Sequence, residues 1–350
     1  MEAASKPRRA APRRTPARPA LRGGIDLGGT KIEAIVVDDQ NTMLGSSRHP
    51  TPSTGGPVDV AAEMVKAMAG ACQAAGIEPA ALLGIGIGSP GVIDEATGAV
   101  STARNLPGWE GSYALGPELE SHLGTKVVIG NDVQVATDAE FALGAGRPYR
   151  SLLGVMWGTG VGGGIILDGK PWVGRGGAGE IGHMVVEMGG ARCPCGRRGC
   201  MEAYAGRAAM EARARKRMKE QRTDLFKIMK ERGRTKLTSS VWARALERKD
   251  KLAVELINEA VEALGAGIAS AINLLDVPAV IIGGGLGVRL GEPYVKRIRK
   301  AMQPHLFNDA NPPDVLPAAL GDSGGAVGAA LLIKPARRPA TRRPRAATSA

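Results

Sequence analysis

Two segments 130 residues apart constrain this chain more than any other feature of its sequence. GIDLGGTKIEAIVVDDQ (24–40) and GVMWGTGVGGGIILDGK (154–170) align without gaps, placing Gly24 on Gly154, Gly28 on Gly158, Ile35 on Ile165 and Asp38 on Asp168. In each, a hydrophobic strand enters a glycine turn and a hydrophobic strand leaves it. The pair predicts a duplicated domain whose two glycine hairpins face each other across a cleft. Backbone N–H groups from two such turns suit a polyphosphate chain gripped from both sides. Two unrelated hairpins are the alternative.

The rest of the chain reads as strands and helices around those hairpins. Strands are expected at 42–49, 82–88 and 126–130, and helices at 58–76, 133–146 and 324–333. Residues 202–275 read as mostly helical, and AVIIGGGLG (279–287) as a strand followed by a glycine loop. A chain of 350 residues has room for two domains.

The net charge of +12 suggests a nucleic-acid binder until it is located. Residues 1–22 and 334–350 carry the whole excess in Pro/Ala/Arg-rich runs, and the body between them is formally neutral. Both tails, 1–21 and 334–350, are read as disordered and solubilising, with weak polyanion contact as the alternative. No specific nucleic-acid partner is expected. No membrane is expected either, because no apolar run reaches spanning length without glycine or charge. No signal-peptide core follows Met1, and three of the four cysteines cluster at metal-site spacing rather than in a disulfide framework. A cytoplasmic location is the expectation.

Which motifs carry chemistry follows from their context. GTGVGG (158–163) has the letters of a dinucleotide loop, but a strand follows where that loop needs a helix. DLGGTK (26–31) is more specific. Gly28 and Gly29 let backbone donors approach phosphate oxygens, Thr30 offers a hydroxyl, Lys31 a charge and Asp26 a carboxylate for a magnesium-bound water. Asn131-Asp132 ends a buried strand and starts a helix, so one residue suits the N-cap and the other the crevice. Phosphoryl transfer to an alcohol needs such a carboxylate to orient the hydroxyl and take its proton. Cys193, Cys195 and Cys200, with His183 upstream, supply four zinc-type ligands, which makes the metal structural. Three reduced cysteines without a metal are the alternative. Glu180 and Glu202 bracket that loop, and two carboxylates beside an imidazole suit a polyhydroxy ligand.

Together DLGGTK, NLPGW (105–109), ND (131–132), GTGVGGG (158–164), GEIGH (179–183), CPCGRRGCMEAYAG (193–206) and VIIGGGL (280–286) resemble the ROK family of sugar kinases, the bacterial glucokinases above all, over residues 22–333. The resemblance implies an actin-like, ribonuclease-H-like α/β fold of two domains. One is 22–130, completed by a helix at 322–333; the other is 131–321, with the zinc loop at 183–200. It implies ATP with Mg2+ as donor, glucose as acceptor, and Asp132 as the base toward the 6-hydroxyl. Asn105, Asn131, Glu180, His183 and Glu202 would bind the sugar, His183 with one ring nitrogen on a structural Zn2+ and the other toward the sugar. Asp26, Gly28, Gly29, Thr30, Lys31, Gly158, Thr159 and Gly160 would line the phosphates, and Gly283, Gly284 and Gly285 the adenosine. A homodimer or homotetramer is expected by the same likeness.

Gln134 and Gly206 depart from the family's usual residues, and the basic stretch 207–236 carries nothing over. Mannose, fructose or an N-acetylhexosamine as acceptor, and polyphosphate as donor, are the enzyme alternatives. A transcriptional regulator of this family needs a winged helix-turn-helix ahead of DLGGT, and residue 26 leaves it no room.

Overall fold

The computed structural model describes residues 20–103 and 105–334. The tails expected at 1–21 and 334–350 lie outside the described residues, apart from Ala20, Leu21 and Lys334. Arg22, whose charge counts with the N-terminal run, already belongs to the first strand. It is buried, and its guanidinium donates to the Asp38 carbonyl (2.9 Å) and to Asn41 Oδ1 (2.7 Å).

The first half opens with an antiparallel meander of β1 (Arg22–Leu27), β2 (Lys31–Val37) and β3 (Met43–Pro50). Helix α1 (Pro57–Ala74) crosses over to β4 (Ile85–Ser89), which runs parallel to β1. A small separate sheet of β5 (Val92–Asp94), β6 (Ala99–Ser101) and β7 (Ser112–Tyr113) follows, then α2 (Leu115–Leu123). Strand β8 (Val127–Asn131) pairs in parallel with β4, giving the order β3-β2-β1-β4-β8.

The second half repeats the plan. Helix α3 (Asp132–Leu143) leads into β9 (Leu152–Trp157), β10 (Val161–Leu167) and β11 (Lys170–Pro171). The helical stretch contains α4 (Met201–Ala205), α5 (Arg207–Arg217), α6 (Leu225–Glu231), α7 (Ser239–Glu247) and α8 (Lys251–Leu275). It is followed by β12 (Ala279–Gly283), α9 (Gly284–Met302), β13 (Asp314–Pro317) and α10 (Gly324–Leu331). The second sheet has the order β11-β10-β9-β12-β13, with the same pattern of antiparallel and parallel pairs as the first. The 130-residue offset carries β1 onto β9 and β2 onto β10 residue for residue.

Matched glycines seat the helices on these sheets. A Cβ on Gly24 would strike the Ala326 carbonyl of α10, and a Cβ on Gly154 would strike the Thr137 side chain of α3. Only a residue without a side chain lets a helix approach the central strand so closely. On the other face of the first sheet, Ile25, Leu27, Ile87 and Ile129 pack with Met64 and Met68 of α1. Leu153, Val155 and Trp157 pack with Leu256 and Leu264 of α8. That helix is capped by Asp250, whose carboxylate accepts from the Ala253 amide (2.9 Å). Each large apolar side chain buried this way contributes about 1.5–3 kcal/mol. Among the described residues no helix is long and apolar enough to cross a membrane.

The structure departs from the sequence reading after β12. The expected glycine loop is the first turn of α9, with Gly284 at φ +77° because a Cβ there would meet the Trp157 backbone. Three successive glycines carry no helical periodicity, so the turn is invisible to the pattern. Strands β5, β6 and β7, of two or three residues each, are likewise too short to show an alternation.

Candidate active site

Three parallel neighbours, β1, β4 and β8, end side by side: Asp26 pairs with Gly88, Gly88 with Gly130, and Ser89 with Asn131. Carboxyl ends of parallel strands open onto a crevice, and here they present Asp26 and Asp132. Asn131 takes the cap, accepting from the Val133 and Gln134 amides (both 3.1 Å). Asp132 follows at the first position of α3, half-buried, with Oδ1 accepting from the Val133 amide (2.9 Å). Gly88 lies against it, a Cβ there sitting 3.4 Å from the Asp132 Cα. Burial, then the charge of Asp26, push the Asp132 pKa up to about 7, with Glu180 adding to the effect. Burial also raises Asp26, to about 6, against the pull of Lys31. Its carboxylate faces Gly325 at the start of α10.

The two hairpins close one residue apart: Gly28 N–H donates to the Lys31 carbonyl, three residues on (2.9 Å), and Gly158 N–H to the Gly160 carbonyl, two residues on (2.9 Å). Their side chains are held differently. Lys31 Nζ bonds Glu33 (2.5 Å) and the Asp322 carbonyl (3.2 Å), so its charge is met by a carboxylate. Thr30 is exposed, and Asn105 lies against Gly29. On the second hairpin, Glu202 of α4 accepts from the Val161 amide (2.9 Å), and a Cβ on Gly160 would strike that carboxylate. Gly206 packs on Gly160, Arg207 N–H bonds the Gly158 carbonyl (3.2 Å) and Ala208 N–H the Thr159 carbonyl (3.0 Å). Residues 202–208 therefore wrap the turn from outside.

The cysteine loop lies beside this wrap. Ligand atoms of His183, Cys193, Cys195 and Cys200 all fall within 4.8 Å of one another. The loop closes through Cys193 N–H to the Arg197 carbonyl (2.8 Å) and Gly196 N–H to the Cys193 carbonyl (2.9 Å), with Gly196 at φ +94°. His183 ends a short 3-10 turn, Ile181–His183. Its Nδ1 is 3.7 Å from Cys193 Sγ, and its Nε2 is 3.8 Å from Glu180 Oε2. One soft, four-donor pocket of this size fits a tetrahedral zinc ion. The imidazole spans from the thiols to a carboxylate.

The remaining glycines divide in role. A Cβ on Gly283 would meet Met156 Sδ (2.6 Å), whereas one on Gly158 would come only into ordinary contact with the Gly285 amide nitrogen (3.8 Å). Gln134 is spent on structure: its amide donates to Asp138 (2.7 Å) and accepts from the Ile165 amide (3.1 Å), tying α3 to β10.

Three charged residues at the site escape the sequence reading. Glu33 is buried on β2 and gathers Lys31, Arg48 (2.7 Å) and the Ser323 hydroxyl (3.1 Å). Glu140 is buried on α3 and accepts from the amides of Ala145 (3.0 Å), Ala319 (3.0 Å) and Leu320 (2.8 Å). Arg207 is buried at the start of α5 and donates to Thr159 Oγ1 (2.8 Å) and the Leu237 carbonyl (3.0 Å). The partners of Glu140 and Arg207 lie up to 180 residues away, and nothing local marks such pairings.

Comparison with known proteins agrees with this layout. The ROK family model matches residues 22–336. A glucokinase of Streptomyces coelicolor is 33% identical over 89% of this chain and 96% of its own. An N-acetyl-D-glucosamine kinase of Vibrio cholerae is 31% identical over 88% of this chain and 98% of its own. The solved structure of a ROK family glucokinase from Streptomyces griseus, in complex with glucose and AMPPNP, superposes with a TM-score of 0.78 at 33% identity, covering 89% of this chain and 98% of that one. With its paired sheets, glycine hairpins and cysteine loop, the chain belongs to the ROK family and has the actin-like ATPase fold.

Proposed function

We propose that this chain is an ATP-dependent hexokinase that phosphorylates glucose at the 6-hydroxyl, with Asp132 as the base. One observation carries the assignment. Asp132 stands just past the end of β8 with its pKa raised to about 7 by burial and by the charges of Asp26 and Glu180. A base poised near the working pH is what proton removal from an alcohol needs.

The sugar hydroxyl oxygen attacks the γ-phosphorus, the bond to the β–γ bridging oxygen breaks, ADP departs, and the hydroxyl proton passes to Asp132. Glu180, His183 and Glu202, with Asn105 and Asn131, hold the sugar. Thr30, Lys31 and the Gly28–Gly29 amides on one side, and Gly158, Thr159 and Gly160 on the other, line the phosphates. Gly283, Gly284 and Gly285 pass the adenosine. Asp26 would hold a magnesium-bound water, and the cation would neutralise charge on the phosphates. His183, Cys193, Cys195 and Cys200 would hold zinc, and a metal-bound His183 imidazole would keep a fixed orientation with Nε2 toward the sugar side. Residues 22–130 with 322–333 form one domain and 131–321 the other.

The runner-up acceptor is an N-acetylhexosamine, supported by the likeness to the Vibrio enzyme. An acceptor panel with ATP and with polyphosphate, read by the mass of the product, tests the assignment. Glucose 6-phosphate formed with ATP is the expected outcome; turnover of an N-acetylhexosamine alone overturns the glucose reading.

A further inference from the structure

Arg207 is a buried cation with no carboxylate against it among the described residues. It is 8% exposed, its Nε has no hydrogen-bond partner among the described residues, and it enters none of their ion pairs. Glu211 is the acidic group nearby, but one of its oxygens is taken by the Leu237 amide (2.8 Å) and the other by Arg215 (2.6 Å). Burial accordingly pulls the Arg207 pKa below its ordinary value, against the opposing charge of Glu211. A guanidinium kept in so costly a place is expected to repay it through something it organises.

What it touches is the side chain of the second glycine hairpin. Nη2 donates to Thr159 Oγ1 at 2.8 Å, while Nη1 fixes the Leu237 carbonyl just ahead of α7. A threonine hydroxyl has one proton and two lone pairs. With a lone pair engaged by a cation, the proton is left to be donated, and the charge-assisted bond polarises it further. Among the described residues this hydroxyl donates to no acceptor. A hydroxyl forced to act as a donor, backed by a desolvated positive charge, suits a phosphate oxygen.

We propose that Arg207 is a positioning residue for the phosphoryl donor: it locks the Thr159 hydroxyl as a donor toward a nucleotide phosphate and lends that hairpin its positive field. The proposal rests on the nucleotide reading above. It also explains why the wrap 202–208 matters, since Glu202 toward the sugar and Arg207 toward the phosphates then ride on one short segment.

The test compares full-length wild type with R207M, R207K, T159V and T159S. Steady-state KM for ATP and for hexose is measured, with calorimetric titration of ADP and a melting curve for each. R207M and T159V are each expected to raise the ATP KM and weaken ADP about tenfold or more while leaving the hexose KM within about twofold. R207K and T159S should recover part of the loss, and R207M/T159V should be no worse than the poorer single variant. Unchanged nucleotide affinity in folded R207M overturns the proposal. If R207M does not fold, T159V decides against T159S, and equal ADP affinity in those two overturns it. ADP titration separates this proposal from the acceptor assignment: a protein that binds ADP through Arg207 but phosphorylates no hexose refutes only the latter. A wild type that binds no adenine nucleotide refutes both.

Discussion

The two glycine hairpins occupy the same place in two sheets of the same topology, yet they spend their charges differently. The first carries Lys31 in its own sequence, and the structure ties that lysine to Glu33 and to the Asp322 carbonyl. The second has Val161 at the matching position and draws its cation from α5 instead, as Arg207 against Thr159. Only the second is braced by the cysteine loop, through His183 and Glu202. The shared topology has kept the strands and let the side chains diverge, a lysine tied to a carboxylate on one hairpin and a threonine holding a buried arginine on the other.

The largest effect is expected where the halves meet. Asp132→Asn should lower kcat by about a thousandfold, within the range for losing a general base, with sugar binding retained. In wild type, kcat/KM should fall about tenfold per unit below roughly pH 7, because the base must be deprotonated and its pKa is raised to about 7. Stability runs the opposite way. A carboxyl whose folded pKa lies above its unfolded value of roughly 4 favours folding in acid, and this contribution is lost as pH rises through about 7. Asp132→Asn should therefore melt a few degrees above wild type at pH 8, with no difference at pH 4. Near-normal turnover would remove Asp132 from the reaction.

The cysteine loop offers the next break in the symmetry. Metal analysis should find stoichiometric zinc, and its removal should raise the hexose KM about tenfold or more, leaving ADP affinity little changed. A fully active, metal-free sample would show the brace to be unnecessary.

The matched glycines give a smaller, graded test. Gly24→Ala meets the backbone of α10, whereas Gly154→Ala meets a Thr137 side chain that can turn or be trimmed. Both should destabilise by about 1–3 kcal/mol, Gly24→Ala more, and Thr137→Ala should relieve only Gly154→Ala. Equal costs without rescue would mean that the two helices are seated alike. Lys31→Met should have the smallest effect, a rise in ATP KM of about threefold, because Glu33 and the Asp322 carbonyl already meet much of the charge that Lys31 brings to the phosphates. A change as large as that from R207M would mean that the Glu33 pair leaves that charge free for the nucleotide.

The sequence was most legible where structure is local. Asn131-Asp132 could be read because a strand end and an N-cap are adjacent in the chain, and His183 with the three cysteines because ligand spacing is a short-range property. The glycine run at 283–285 was misread because its backbone is set by Met156 and Trp157 of a different strand. Glu33, Glu140 and Arg207 could not be picked out at all. Arg207 stands in a segment crowded with arginines and lysines, and its burial depends on the start of α5 landing on the turn between β9 and β10.

By itself, then, the sequence determined the repeat, and with it the paired sheets, the turns and the crevice carboxylate, since strand period and glycine turns are written residue by residue. Tertiary structure alone decided which charges are spent and which are kept. Lys31 meets Glu33 two residues along its own strand and the Asp322 carbonyl far along the chain, whereas Arg207 is buried against the Thr159 hydroxyl and the Leu237 carbonyl, both brought to it by the fold.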